Sequence, residues 1–176
     1  MPPSRLHARP RPMLGVLAAL CAMLALLPGC GRDESPAFDP AAWSFKDLNG
    51  NTHALADYRG KLVVLDLWAT WCLPCRELMP EMQQLHEQYQ GRKVVILGGN
   101  TYERADPAPL VRELGLTYPQ LLETDPLADA LGVRGLPTVI VYGVDGEVVY
   151  RHLGSSPASL SGLKAFIANY AETHDL

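Results

Sequence analysis

Cysteine is scarce in this 176-residue chain, long hydrophobic runs are scarcer, and basic residues are outnumbered, 15 Lys and Arg against 19 Asp and Glu. The acid excess, a formal net charge of −4, argues against nucleic acid as a partner. The apolar run from Met13 to Leu27 falls short of the roughly 18 residues that a spanning helix needs, and no other stretch qualifies, which excludes a multi-pass membrane protein. Internal repeats and low-complexity segments are absent. There is no second cysteine pair, and His53, His86, His152 and His174 are widely scattered, so nothing has the spacing of a zinc site and the histidines receive no role. What remains is enough chain for one ordinary domain preceded by a targeting segment.

The targeting segment is the first thing present. Arg5, Arg9 and Arg11, with no acid among them, precede the apolar run in a signal-peptide layout. Leu27-Pro28-Gly29-Cys30 then resembles the bacterial lipobox, whose cysteine is lipidated and becomes the new N-terminus, although Pro28 is an unusual occupant. Ordinary secretion with cleavage near Gly29 would instead leave Cys30 as a free thiol in an oxidising compartment, a liability that lipidation removes. The expected organisation is a lipoprotein signal peptide over residues 1–29, a lipidated tether over 30–42 and a globular domain over 43–176. Several acyl chains make such an anchor lasting. Gly31 is not the aspartate that resembles an inner-membrane retention signal, so the expected location is the bacterial envelope facing the periplasm, with the outer membrane favoured. Cys21 leaves with the leader and Cys30 takes lipid, so Cys72 and Cys75 can pair only with each other or with a partner.

Along the domain the hydrophobic periods alternate. Trp43 to Ala54 reads as a hairpin turning on Asn49-Gly50, a favoured type I′ pair. Lys61 to Trp68 is a Leu and Val run broken only by Asp66, the pattern of a strand buried on both faces. From Cys75, the positions Leu78, Met82, Leu85 and Tyr89 recur at helical spacing up to Gly91, which suits a helix C-cap. Lys93 to Leu97 repeats the buried-strand pattern, and a helix from about Pro109 to Leu114 follows, which predicts βαβ order with a parallel pair. A short helix after Asp125 carries Pro126 at its start and Gly132 at its end. Thr138 to Tyr142 and Glu147 to Leu153 read as strands joined through Asp145-Gly146. A last helix begins near Pro157 with Ser156 as N-cap and turns Leu160, Leu163, Phe166, Ile167 and Tyr170 to one face.

Chemistry concentrates in Trp71-Cys72-Leu73-Pro74-Cys75, between the buried strand and the amphipathic helix. As a fold staple this pair is poorly placed, since closing so short a loop contributes only about 2 kcal/mol against ~3 kcal/mol for fifteen residues. A redox role explains the spacing. At the first turn of a helix Cys72 faces unsatisfied amides and the positive dipole end, which favours thiolate and marks it as the nucleophile. Cys75 follows three residues later, within reach to attack a mixed disulfide at Cys72. Asp66, on a buried strand, should have a raised pKa and suit proton exchange with Cys75; the bland alternative is a hydrogen-bonded structural aspartate. Pro74 sits where a missing N–H costs little.

These residues carry a resemblance. Asp66-Leu67-Trp68-Ala69-Thr70-Trp71-Cys72-Leu73-Pro74-Cys75 closely resembles the thioredoxin active-site segment, Leu136-Pro137-Thr138 looks like its cis-proline loop, and Pro80 matches its kink proline. The Asp47-Leu48-Asn49-Gly50 hairpin and Tyr58-Arg59-Gly60-Lys61 are more similar to the exported TlpA/ResA branch. The resemblance covers roughly residues 43 to 172 and implies an α/β thioredoxin fold, a mixed sheet flanked by helices, with an added N-terminal β-hairpin. It implies a cis bond at Pro137, with Pro137 and Leu136 shaping the substrate-docking edge and Trp71 as a partly exposed cover beside Cys72; Trp71 as a plain packing residue stays open. Two departures stand out: the branch often has Asn where this chain has Asp66, and often Glu where it has Leu78.

The reading is a lipid-anchored thiol-disulfide oxidoreductase without metal or organic cofactor. It implies disulfide-bearing exported proteins as partners, with an apocytochrome, a folding enzyme and a damaged envelope protein all left open, and a DsbD-like membrane reductase as donor. Leu73-Pro74 contains no histidine, unlike the strongly oxidising DsbA-type pair, so reduction is favoured over the disulfide-oxidase alternative. A thiol peroxidase of the same fold would usually place Pro-x-x-x-Thr-x-x-Cys at the nucleophile, whereas Thr70 stands only two residues before Cys72. A non-catalytic lipoprotein holding soft copper through Cys72 and Cys75 is the rival of a different class, with no methionine or histidine near the pair in sequence.

Overall fold

The computed structural model describes residues 39–176. The leader, Cys30 and the tether before residue 39 lie outside the described residues. In chain order the elements are β1 (Ser44–Lys46), β2 (Thr52–Ala54), a 3-10 turn (Leu55–Tyr58), β3 (Leu62–Trp68), α1 (Leu73–Gln88) and β4 (Val94–Asn100). There follow α2 (Ala108–Glu113), β5 (Gln120–Leu121), α3 (Asp125–Ala130), β6 (Thr138–Tyr142), β7 (Val148–Leu153) and α4 (Pro157–Thr173).

The apolar run of β3 has to be covered on both faces, and the fold covers it by making this strand the centre of the sheet. Strand order is β5-β4-β3-β6-β7, with β3 parallel to β4 and antiparallel to β6. Because side chains alternate along a strand, Leu62, Val64 and Trp68 enter a core built with Leu78, Met79, Met82 and Leu85 of α1 and Leu163, Ile167 and Ala171 of α4. Val63, Leu65 and Leu67 enter a second core with Leu127 and Ala128 of α3 and with Trp43 and Leu55 from the N-terminal segment. Asp66 therefore projects toward the α1 side, in phase with Val64 and Trp68.

The hairpin forms, but not through the expected type I′ turn, which needs positive φ at two successive residues; here Gly50 has φ 83° and Asn49 is not positive. The loop is organised instead by the buried Asp47 carboxylate. Its Oδ1 accepts from the Asn49 and Asn51 amides at 2.9 and 2.8 Å, and its Oδ2 accepts from Asn51 Nδ2 at 3.1 Å. His53 bridges Asp47 Oδ2 (3.1 Å) and Tyr58 Oη (2.5 Å), a contact absent from the sequence reading. The hairpin then lies along the short β5 edge, where the Leu48 amide donates to the Gln120 carbonyl and the Leu122 amide to that of Lys46. An unpaired sheet edge is thereby covered.

Helix bounds shift by small amounts. The apolar stripe of α1 reaches Tyr89, but Tyr89 is already the C-cap, and Gly91, with φ 78°, lies in the turn beyond it. α2 begins at Ala108 and α3 at Asp125, each with a proline in its first turn. Ser156 caps α4, accepting from the Ser159 amide as expected. The segment assigned to the end of the tether already touches the domain, since Tyr142 Oη donates to the Pro40 carbonyl at 3.3 Å.

Candidate active site

The redox pair sits where the central strand hands over to α1. Cys72 is the N-cap of that helix, in extended conformation, and its Sγ accepts from the Cys75 amide at 3.2 Å. A helix start leaves its first amides unpaired, and here one of them is aimed at the sulfur. The two cysteines form a disulfide with a Cα–Cα distance of 5.3 Å. Cys75 is fully buried and Cys72 nearly so, between Trp71 at 49 % exposure and Leu73 at 68 %. Cys72 is thus the sulfur at the surface end of the pair, framed by two exposed apolar side chains, and Cys75 is the one beneath. Pro74 occupies the second helical position, and the exposed Pro80 interrupts the helix interior.

Asp66 is completely buried, and both its carboxylate oxygens lack a hydrogen-bond partner. Burial pushes its pKa up to about 7. The alternative of a hydrogen-bonded structural aspartate does not describe this side chain. Leu78, where the branch often has Glu, is buried in the α1 core, and Glu77 beside it is exposed.

The turn carrying Cys72 is fastened from a distant loop. Glu103 accepts from the Thr70 amide (2.8 Å), the Thr70 hydroxyl (2.6 Å) and Asn100 Nδ2 (2.7 Å). Burial acts to raise this carboxyl, but bonds from Thr70, Asn100 and the Arg104 amide outweigh it and hold it at about 2. Trp71 Nε1 donates to the Tyr102 carbonyl at 2.8 Å, and the Arg104 guanidinium lies 5.4 Å over the indole. From the helix side, Arg76 donates to the Thr70 carbonyl through Nε and Nη2. Trp71 is therefore an exposed plate held at its edge.

The Leu136–Pro137 peptide bond is cis, with Pro137 buried and Leu136 half-buried. Thr138 pairs with Leu67, so continuing that register sets Pro137 opposite Trp68 at the end of β3 from which the redox turn departs. The loop is tied by the Thr138 hydroxyl to the Gly135 carbonyl (2.7 Å) and by the Gly154 amide to the Pro137 carbonyl (2.9 Å). Trp68 is core, as its position predicts, and its Nε1 donates to Gln120 Oε1 at 2.9 Å. Among the described residues no group of three or more His, Cys, Asp or Glu side chains is arranged to hold a metal ion.

Sequence reasoning brought Asp66, Trp71, Cys72, Cys75, Leu136 and Pro137 forward, and the fold gathers them at one end of β3 and β6. It missed Glu103, Tyr118 and Gln120, which reach the site across 30 or more residues; Thr70 and Glu103, for instance, are 33 apart. A lone Glu in a loop has no periodic signal. The glycines at 98 and 99 inside a strand were the available clue, because an interior strand glycine marks a close approach.

Comparison with known proteins agrees with this geometry. A ResA thiol-disulfide oxidoreductase of Geobacillus thermodenitrificans is 40% identical over 104 residues, covering 58% of this chain and 60% of that protein. The ResA of Bacillus subtilis is 29% identical over 159 residues, 89% of each chain. This chain thus spans less than two thirds of the first relative's length. Among solved structures, a thiol:disulfide interchange protein DsbE from Chlorobium tepidum superposes with a TM-score of 0.65 at 25% identity, over 73% of this chain and 92% of that one. The mixed sheet with its flanking helices is therefore the thioredoxin fold, and with residues 34–151 matching the family model from within the expected tether into β7, the chain belongs to the AhpC/TSA family.

Proposed function

We propose that this protein is a thiol-disulfide oxidoreductase of the bacterial envelope that reduces disulfides in exported proteins. The observation that carries the reading is the Cys72–Cys75 disulfide at the start of α1, its surface sulfur bonded to a helix amide, on the same sheet face as a buried, unpaired carboxyl. The ResA relatives, named as thiol-disulfide oxidoreductases, support it.

In the reduced protein the Cys72 thiolate, stabilised by the helix start, attacks one sulfur of a substrate disulfide. A mixed disulfide forms and the first substrate sulfur leaves as thiolate. Cys75 then gives its proton to the Asp66 carboxylate and attacks Cys72 Sγ. The Cys72–Cys75 bond closes, the second substrate sulfur leaves and takes a proton from water, and two electrons have passed from the dithiol to the substrate. A folded pKa of about 7 lets Asp66 accept and return that proton near neutral pH. Trp71, Leu73 and Leu136 give an extended substrate segment an apolar seat beside Cys72, and Pro137 shapes its edge. No further group is needed for the exchange, so the protein works without cofactor.

The donor that re-reduces Cys72–Cys75 is proposed to be a DsbD-like membrane reductase. Residues 1–29 are proposed as a lipoprotein signal peptide, Cys30 as the lipidated residue, 30–42 as the tether and 43–176 as the working domain, held at the periplasmic face of the outer membrane. The lipobox-like Leu27-Pro28-Gly29-Cys30 supports this. The deciding experiment uses Cys75→Ser in cells: the stalled mixed disulfide should carry exported proteins on Cys72. Failure of the wild-type protein to reduce insulin disulfides, together with no trapped species, would overturn the function.

A further inference from the structure

The exposed apolar pair that frames Cys72 is attended by two guanidinium groups, each held by a contact to the redox turn itself. Arg76 follows Cys72 by four residues, about one helical turn along the same face of α1. Its side chain folds back to the turn, where Nε and Nη2 donate to the Thr70 carbonyl at 3.2 and 2.9 Å. Arg104 comes from the loop after β4 and lays its guanidinium over the Trp71 indole, 5.4 Å from the ring centre. Trp71 is kept beneath it by the bond from Nε1 to the Tyr102 carbonyl.

Both arginines are exposed and keep donors in hand. A guanidinium carries five N–H groups in a planar fork, of which Arg76 uses only those of Nε and Nη2 on Thr70. Neither arginine is in an ion pair among the described residues, where the pairs are His53–Asp47 and Lys164–Glu81. The acids of this neighbourhood have oxygens engaged by the protein's own donors. Glu103 accepts from the Thr70 amide and hydroxyl, from Asn100 and from the Arg104 and Ala105 amides. Asp106 accepts from the Ala108 amide, Asp125 from Thr101 and the Tyr102 amide, and Asp129 from the Tyr102 hydroxyl. Glu77 leaves α1 about 100° round from Arg76. In a chain of formal net charge −4, two unpaired cations beside the reacting sulfur are a local exception. A net-negative chain does not draw anions from afar, so what these groups recognise they recognise at contact range.

We propose that Arg76 and Arg104 select disulfide partners in which acidic residues flank the reacting cysteine. The inference rests on the reductase reading above and names the class of segment that reading leaves open. An extended segment lays apolar side chains on Trp71 and Leu73 while its carboxylates reach the two guanidinium forks, whose planar donors match a carboxylate bidentately. A segment with Lys or Arg in the same places meets like charge and is disfavoured.

Three disulfide-linked peptide dimers, identical except that Glu, Gln or Lys stands on both sides of the cysteine, provide the probe. Mixing each with the reduced full chain and quenching with acid gives the rate of attack by Cys72. Each rate is divided by that of dithiothreitol with the same peptide, which removes the effect of flanking charge on the leaving thiol. The wild-type protein should reduce the Glu peptide about tenfold faster than the Lys peptide at low salt, the combined effect of two exposed ion pairs and the matching repulsions. The preference should shrink toward unity in about 1 M salt. Arg76→Gln and Arg104→Gln should each lower the Glu-to-Lys ratio by about threefold. Because both peptides meet the same sulfur, the ratio cancels any change these variants make to the Cys72 thiolate. Lys93→Gln removes an equal charge just before β4, at the end of the sheet remote from the redox turn, and should keep the parent ratio. A wild-type ratio near one, with the Gln peptide reduced normally, overturns the selectivity and leaves the reductase reading standing. A ratio that survives both arginine variants while all three peptides slow alike marks the arginines as braces of the turn and overturns their selecting role. A ratio that falls equally in Lys93→Gln overturns it as well, since net charge then explains the preference. Failure to reduce any of the three peptides overturns the reductase reading and the inference with it.

Discussion

At Asp66 the chain buries a carboxyl where every other position of β3 is Leu, Val or Trp. Burying such apolar side chains contributes about 1.5–3 kcal/mol each, whereas an ionised, unpaired carboxylate in the same place is a cost. With a folded pKa near 7 against 3.8 in the open chain, both states are protonated in acid and the carboxyl then has no linkage effect. As pH rises from about 4 the unfolded chain ionises first, and stability falls until the folded carboxyl ionises near pH 7. The loss across that window is roughly 4 kcal/mol. Asp66→Asn removes the titration and should therefore be the more stable protein at pH 7 while matching or trailing the parent at pH 4. Urea melts of the oxidised proteins check this, since neither disulfide sulfur titrates. Parallel melting midpoints from pH 4 to 8 would show that Asp66 ionises alike in the folded and unfolded chains and would refute a raised folded pKa. The same substitution should slow resolution by Cys75 and spare the attack by Cys72.

At the scale of elements, the redox turn is fixed by its neighbour loop as much as by its own helix. Glu103→Gln keeps the shape but turns one acceptor into a donor facing donors, Thr70 and Asn100 on one oxygen or Thr70 and the Arg104 amide on the other. The expected loss is about 1–3 kcal/mol. Because the folded carboxyl is held low, its contribution is present above the open-chain value near 4.5 and fades as pH falls toward 2. The deficit of Glu103→Gln at pH 7 should accordingly narrow at pH 3 in the same kind of melt. These contacts also mark where sequence reading stops. Strands β3 and β6 and helices α1 and α4 announce themselves through runs or periods that local sequence carries. The two-residue β5 has neither, and exists because the hairpin and β4 hold Gln120 and Leu121 between them. The turn at Asn49-Gly50 misled for a related reason: Asp47 offered the loop side-chain bonds better than those of a tight turn. Cys72, Cys75 and Asp66 were legible because their chemistry is written in contiguous residues.

For the whole molecule, the absence of a histidine between the cysteines predicts a couple clearly more reducing than about −120 mV, the potential of DsbA. Equilibration against a glutathione series measures it, and a value near −120 mV would reverse the direction of electron flow. Cys30→Ser should abolish incorporation of labelled palmitate and leave the protein uncleaved or mislocalised; label persisting in that variant would refute the anchor. If the proposed anchor and the proposed mixed disulfide at Cys72 hold together, the protein is also a mechanical object. Such a partner would pull on the C-terminal end of β3, a strand hydrogen-bonded in register to β4 on one side and to β6 on the other. A pull along the strand loads those bonds together in shear, not singly as in unzipping. The proposed point of attachment is thus the end of the central strand, and on this reading a partner under tension would strain the mixed disulfide before it opens the sheet.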